Sequence, residues 1–106
     1  MNFFLSSVLD AGKTQSMKTY YILTYQASAK FEEEKKPYQP AHKSLLEKFH
    51  RDNFLVLAGA LLNPADGGMM VFSDETIAKD FASNDPYVKN GLIEEWAVRP
   101  WRVVIG

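Results

Sequence analysis

Residues 40–62 read PAHKSLLEKFHRDNFLVLAGALL, and a change of period inside this stretch sets the fold. Counted from His42, Leu45, Leu46 and Phe49 fall at i+3, i+4 and i+7, the spacing that places side chains on one face of an α-helix. Pro40 suits a first helical turn, so a helix is predicted over 40–52. After Asn53 the run FLVLAGAL, 54–61, is continuously apolar and reads as a buried strand. His42 shares the helix face that should be buried. A titratable imidazole there is either a hydrogen-bonded structural group or one held away from water for chemistry.

Outward from this unit the pattern repeats. Residues 18–26, KTYYILTYQ, are β-branched and aromatic and read as the preceding strand. The intervening ASAKFEEEKKPYQP carries the charge run Glu32 to Lys36, expected to be a solvated loop or helix surface. On the other side, Asn63 to Gly68 are turn formers that lead into the strand MMVFS, so a hairpin is predicted. Ser73 or Asp74 caps a second helix, DETIAKDFASN, with Ile77 and Phe81 four apart and Ala78 and Ala82 beside them. Asp85-Pro86 closes it, because the residue before proline is pushed out of the α region. After a turn at Lys89-Asn90-Gly91, residues 93–104 form the last strand, and Pro100 points to an edge or a bulge. The order βαββαβ predicts an α+β, ferredoxin-like two-layer sandwich.

The strands do not alternate as those of a one-sided sheet should. Tyr20, Ile22 and Thr24 point one way and Tyr21, Leu23 and Tyr25 the other, while 54–61 and 69–72 are apolar on both faces. Something must cover the second face, and a second copy in a two-fold homodimer is the expected cover.

Composition bounds the function. The 106 residues make one domain, and 12 basic against 13 acidic residues leave a formal charge of -1 with no patch of either sign. Nucleic acid and an acidic membrane surface are set aside as partners. No apolar run approaches the roughly 20 residues of a membrane span. The absence of cysteine excludes disulfides and thiol catalysis and suits a cytoplasmic location. Residues 1–16 differ in character and are expected to be a leader outside the core fold, which is assigned to 17–106. Gly12-Lys13-Thr14 matches the end of a phosphate-binding loop, but Ser7 stands where its first glycine belongs, so the match is read as chance.

Metal spacings, a nucleophile elbow and a dinucleotide fingerprint are missing from the sequence. What remains is His42, with Asp85 as the carboxylate fixed by a following proline. Both helices lie on one side of the sheet in this topology, so the two residues can approach each other. The spacing alone leaves a structural and a catalytic histidine both open. His50, beside Arg51 and Asp52 at the helix end, reads as a surface residue favourable to the helix dipole.

Several segments together resemble the YCII-related (YciI-like) proteins of the dimeric α/β-barrel superfamily. They are Gln39-Pro40-Ala41-His42, Leu57-Ala58-Gly59, Asn84-Asp85-Pro86-Tyr87-Val88 with Gly91, and Val98-Arg99-Pro100-Trp101. The resemblance runs from about Met17 to Val104. It implies a ferredoxin-like subunit whose sheet faces a partner's across a dimer, and an active-site cleft with a His and Asp pair, here His42 and Asp85. Gln39 stands where many members carry an arginine three residues before the histidine.

With Asp85 accepting from one imidazole nitrogen, the tautomer is fixed and the other nitrogen is turned to substrate. The expected function is therefore a small enzyme, a lyase or isomerase, working by general acid–base proton transfer on a small cyclic or aromatic-derived substrate. It calls for no cofactor and no metal. Gln39, Gly59, Tyr20 and Trp96 are the substrate-binding candidates, although strand aromatics such as Tyr20, Tyr25 and Trp96 also serve as packing. The alternative is a non-catalytic dimeric small-molecule-binding or accessory protein using the same cavity. A cofactorless monooxygenase or haem-handling role rests on the superfamily alone and ranks last.

Overall fold

The computed structural model describes residues 18–106; the leader, the Gly12-Lys13-Thr14 match and Met17 lie outside the described residues. Strand β1, Lys18–Ala27, precedes a short helix α1, Phe31–Glu34, and a 3-10 turn, Lys36–Tyr38, that runs into helix α2, Gln39–Arg51. Strands β2, Leu55–Leu61, and β3, Gly67–Phe72, are followed by helix α3, Glu75–Asn84, a one-turn helix α4, Pro86–Lys89, and strand β4, Ile93–Val103. The four strands form one antiparallel sheet in the order β2-β3-β1-β4. This is the ferredoxin-like arrangement, with β2 and β3 as the expected hairpin.

Local chemistry explains the boundaries. Asn53 takes a left-handed conformation, φ 68°, which asparagine tolerates, and ends α2. The amide of Phe54 then donates to the Phe49 carbonyl at 3.0 Å and turns the chain into β2. Asp74 caps α3 by accepting from the Ile77 amide at 2.9 Å. Pro100 lies in β4 at the edge of the sheet, where its missing N–H disrupts no outer ladder.

Register decides which side chains meet the helices. Leu23 of β1 stands beside Met70 of β3 and Val98 of β4, and Tyr21 beside Phe72. Phe72 and Phe81 have centroids 5.4 Å apart, and Phe49 of α2 packs edge-on against both. Leu23, Phe72, Ala78, Phe81 and Ala82 are fully buried at the centre of this layer. The other face carries Ile22 beside Val71, Thr24 beside Met69 and Tyr20 beside Trp101. No described element covers it: Leu57 is 66% exposed and Trp101 46%. The sheet is thus apolar on both faces, as the strand pattern predicts.

Two segments sharpen the expectation. Of the loop or helix surface expected for the charged stretch before α2, the structure shows the second, as two short helical pieces. The segment after Asp85 is also more than a break, because Pro86 at the first position starts α4. Asp85 itself is extended, φ −71° and ψ 127°, and so ends α3 and begins α4 at once. Among the described residues no helix is long and apolar enough to cross a membrane.

Gly67 shows how tightly β3 meets β1. A Cβ there would lie inside the van der Waals envelope of the Tyr25 carbonyl, whereas one at Gly59 would meet nothing within 4 Å. We expect Gly67→Ala to lower stability by about 1–3 kcal/mol in urea denaturation, because backbone must shift to admit the methyl. Gly59→Ala should stay within about 0.5 kcal/mol of the parent.

Candidate active site

Asp85 is buried completely, the one charged residue so placed among the described residues. A carboxylate without water needs donors, and three elements supply them. The Tyr25 hydroxyl of β1 donates to Oδ2 at 2.7 Å. The Tyr87 amide of α4 donates to Oδ1 at 3.1 Å, the hydrogen bond that caps this short helix. His42 of α2 brings Nδ1 to 2.9 Å from both oxygens. A carboxylate only accepts, so Nδ1 carries the proton, and in the neutral ring the lone pair is left on Nε2.

The ring is fixed on other sides too. Tyr87 stacks on the imidazole with centroids 4.1 Å apart and planes 21° from parallel. Phe81 stands edge-on at 6.4 Å, and Phe31 of α1 packs edge-on against Tyr87 at 5.1 Å. The His42 side chain keeps 18% of its surface exposed, and Nε2 is neither bonded to a described residue nor sealed from solvent. His42 lines a cavity of about 460 Å³ between the sheet and the α1–α2 segment. Ala58, Ala60 and Met70 form an apolar wall of that cavity, while Lys35, Gln39 and His42 provide polar groups.

The sequence-predicted residues divide. His42 and Asp85 are brought together, and Gln39, Gly59 and Tyr25 line the same cavity as His42. Tyr20 does not: side chains alternate along β1, and it lies an odd five positions before Tyr25, so it stands beside Trp101 on the uncovered face. Trp96 pairs with Tyr25 across the sheet but packs against the core and borders a second cavity with Glu95 and Asp66. The charge run is only partly the solvated surface expected, since Glu32 and Lys35 line the His42 cavity. Tyr87 stands in the segment Asn84-Asp85-Pro86-Tyr87-Val88 that carries the family resemblance, but the sequence gives it no role in the site. Its signal is Asp-Pro, which marks a helix start with an N-cap and a proline at the first position as well as a helix stop. His50, read as a surface residue, donates from Nδ1 to the Leu55 carbonyl at 2.8 Å and ties α2 to β2.

The tyrosines around Asp85 are held protonated. Desolvation first, then the Asp85 charge and the hydrogen bond to it, push the Tyr25 hydroxyl far above the ordinary tyrosine range. Tyr87 is raised by desolvation and then by Asp85, with the Gln39 side chain acting in the opposite sense. A raised tyrosine pKa leaves stability untouched below the unfolded value of 10.0 and removes it above, where the unfolded chain ionises first. Tyr25→Phe should cost about 1–3 kcal/mol at neutral pH by leaving Asp85 one donor short. Above pH 10 the parent should lose about 1.4 kcal/mol per pH unit through Tyr25, so denaturation of Tyr25→Phe should show a shallower alkaline slope that keeps only the part due to Tyr87.

Comparison with known proteins fits this geometry. The YCII-related domain matches residues 18–102. The proteins named YciI of Escherichia coli and Shigella flexneri are each 28% identical over 95 residues, covering 79% of this chain and 97% of theirs. Among solved structures, 5-chloro-2-hydroxyhydroquinone dehydrochlorinase from Burkholderia phenoliruptrix, in complex with 2,5-dihydroxybenzoquinone, superposes with a TM-score of 0.67. It is 18% identical, over 77% of this chain and 92% of that one. A conserved protein from Methanosarcina mazei gives a TM-score of 0.55 at 19% identity, over 84% and 96% of the two chains. With the family's domain matched along the whole of the βαββαβ unit, this chain belongs to the YCII-related family.

Proposed function

We propose that the chain is a small acid–base enzyme, a lyase or isomerase of single-ring substrates, in which His42 moves the proton and Asp85 orients it. One observation carries the reading: a buried carboxylate with three donors leaves His42 a free Nε2 on the border of an apolar cavity. In this scheme Nε2 takes a proton from an acidic C–H or O–H of the ring. The electron pair released either shifts a double bond or expels an anionic leaving group. The imidazolium then returns the proton to product carbon in an isomerisation, or to solvent in an elimination. Residues of this chain suffice for these steps, and no cofactor enters them.

The size of the cavity supports the substrate class, since about 460 Å³ lies toward the small end of ligand sites. The fold-level likeness to a dehydrochlorinase supports the reaction class, because loss of HCl joins a proton transfer to the departure of an anion. The same reading includes a homodimer closed through the uncovered sheet face, where Leu57, Met69 and Trp101 are exposed, and a cytoplasmic setting for a chain without cysteine.

A panel of chlorinated hydroxyquinols and cyclic enols, beginning with 5-chloro-2-hydroxyhydroquinone, tests the chemistry by chloride release and product absorbance. His42→Ala should lower kcat/KM by about 10²- to 10⁴-fold in a folded protein, and Asp85→Asn should lower kcat through the misplaced tautomer. Binding of these compounds without turnover, or turnover indifferent to His42→Ala, would leave a binding protein in place of the enzyme.

Sedimentation equilibrium tests the assembly separately. The parent should be a dimer at micromolar concentration and Leu57→Glu a monomer, since a charge would then have to be buried in the interface. A parent that sediments as a monomer would sink the dimer.

A further inference from the structure

Lys35 lies outside the His42–Asp85 pair, yet the chain path brings it to the same cavity. The amides of Tyr38 and Gln39 both donate to the Lys35 carbonyl, at 2.9 and 3.1 Å, so a helical path runs from Lys35 through the 3-10 turn into α2. Lys35, Gln39, His42 and Leu46 therefore stand at i, i+4, i+7 and i+11, on one stripe. All four line the cavity. From its outer end inward, the stripe presents an ammonium, an amide and an imidazole, facing the apolar wall of Ala58, Ala60 and Met70.

Lys35 is the one lysine or arginine among the described residues that line this cavity. Its ammonium sits 5.5 Å from the centroid of the Phe31 ring and 3.1 Å from Glu32. The two partners differ in exposure: the Lys35 side chain keeps 27% of its surface and that of Glu32 70%. Glu32 can return to water with little loss, because so exposed an ion pair is weak. Lys35 cannot leave the cavity border as easily, since its side chain is mostly buried and its ammonium lies over the Phe31 ring. The pair thus holds a cation in place until a better anion arrives.

We propose that Lys35 is the specificity residue of the cavity and selects ring compounds that carry a carboxylate or oxyanion, its ammonium passing from Glu32 to the ligand. This rests on reading the cavity as the substrate site, but not on catalysis by His42. Seven residue steps along the 3-10 turn and α2 take the chain from Lys35 to His42, roughly 10–14 Å along the axis. Lys35 therefore addresses the far side of a ring whose near side meets Nε2, and it acts in binding and orientation, not in proton transfer.

The test uses the full chain and two probes of the same shape, benzoate and neutral benzamide, titrated by amide NMR shifts of cavity residues. The parent should bind benzoate about tenfold more tightly than benzamide, the size of one charge-assisted contact at a partly buried site. Lys35→Met should bring the ratio to about one with benzamide affinity unchanged, and Lys35→Arg should keep the preference. Glu32→Gln should strengthen benzoate binding by removing its competitor. Equal affinity of the two probes in the parent, a preference that survives Lys35→Met, or no cavity shifts with either probe would overturn the proposal. His42→Ala separates this from the catalytic reading: it should lower turnover by about 10²- to 10⁴-fold and leave the benzoate preference intact.

Discussion

A carboxylate buried without water is unstable unless donors surround it, and Asp85 is buried completely. Its partners come from β1, α2 and α4, elements that in sequence lie on both sides of the β2–β3 hairpin. Satisfying this group therefore fixes how both helices sit on the sheet. One of the three, from His42, also defines the imidazole tautomer, so the packing requirement and the arrangement of the ring are one constraint. The second histidine gives the contrast. His50 gives its Nδ1–H to a backbone carbonyl and joins two elements, whereas His42 gives it to a carboxylate and lines a cavity.

The hydrophobic interior is built to leave that constraint accessible. Phe49, Phe72 and Phe81 interlock beneath the middle of the helices. Toward the α1 end the side chains shrink to Ala58, Ala60 and the glycines of β3, and space opens. Gly67 also lets β3 approach the Tyr25 carbonyl closely, so the strand that carries the phenol is seated by a residue with no side chain.

Much of this was legible in the residues, since period 3.6 around His42, continuous apolarity over 54–61 and Asp-Pro after the second helix give the element order and hence the fold. His42 and Asp85 could be paired from topology and family likeness because each sits at a defined end of a helix. Tyr25 was harder, because a strand aromatic whose hydroxyl finds a buried partner looks in sequence like any packed ring. Tyr20 and Tyr25 are told apart by period-two alternation only once the helix-bearing face is known. Trp96 lies on the right face but at a different place along it. Lys35 was hidden by its neighbours: inside a run of five charges nothing marks the one that a short helix turns inward.

Asp85 has a second duty that bears on how distant chains are to be compared. As the C-cap of α3 and the side-chain cap of α4, it is needed to shape the chain whether or not anything is turned over. Position 42 caps no helix, since α2 starts and ends without the imidazole, and its tie to the fold is the single donor it gives Asp85. In a diverged copy, then, an aspartate at position 85 reports chiefly that the chain still folds this way, and the residue at position 42 is the better guide to whether the proposed chemistry is kept.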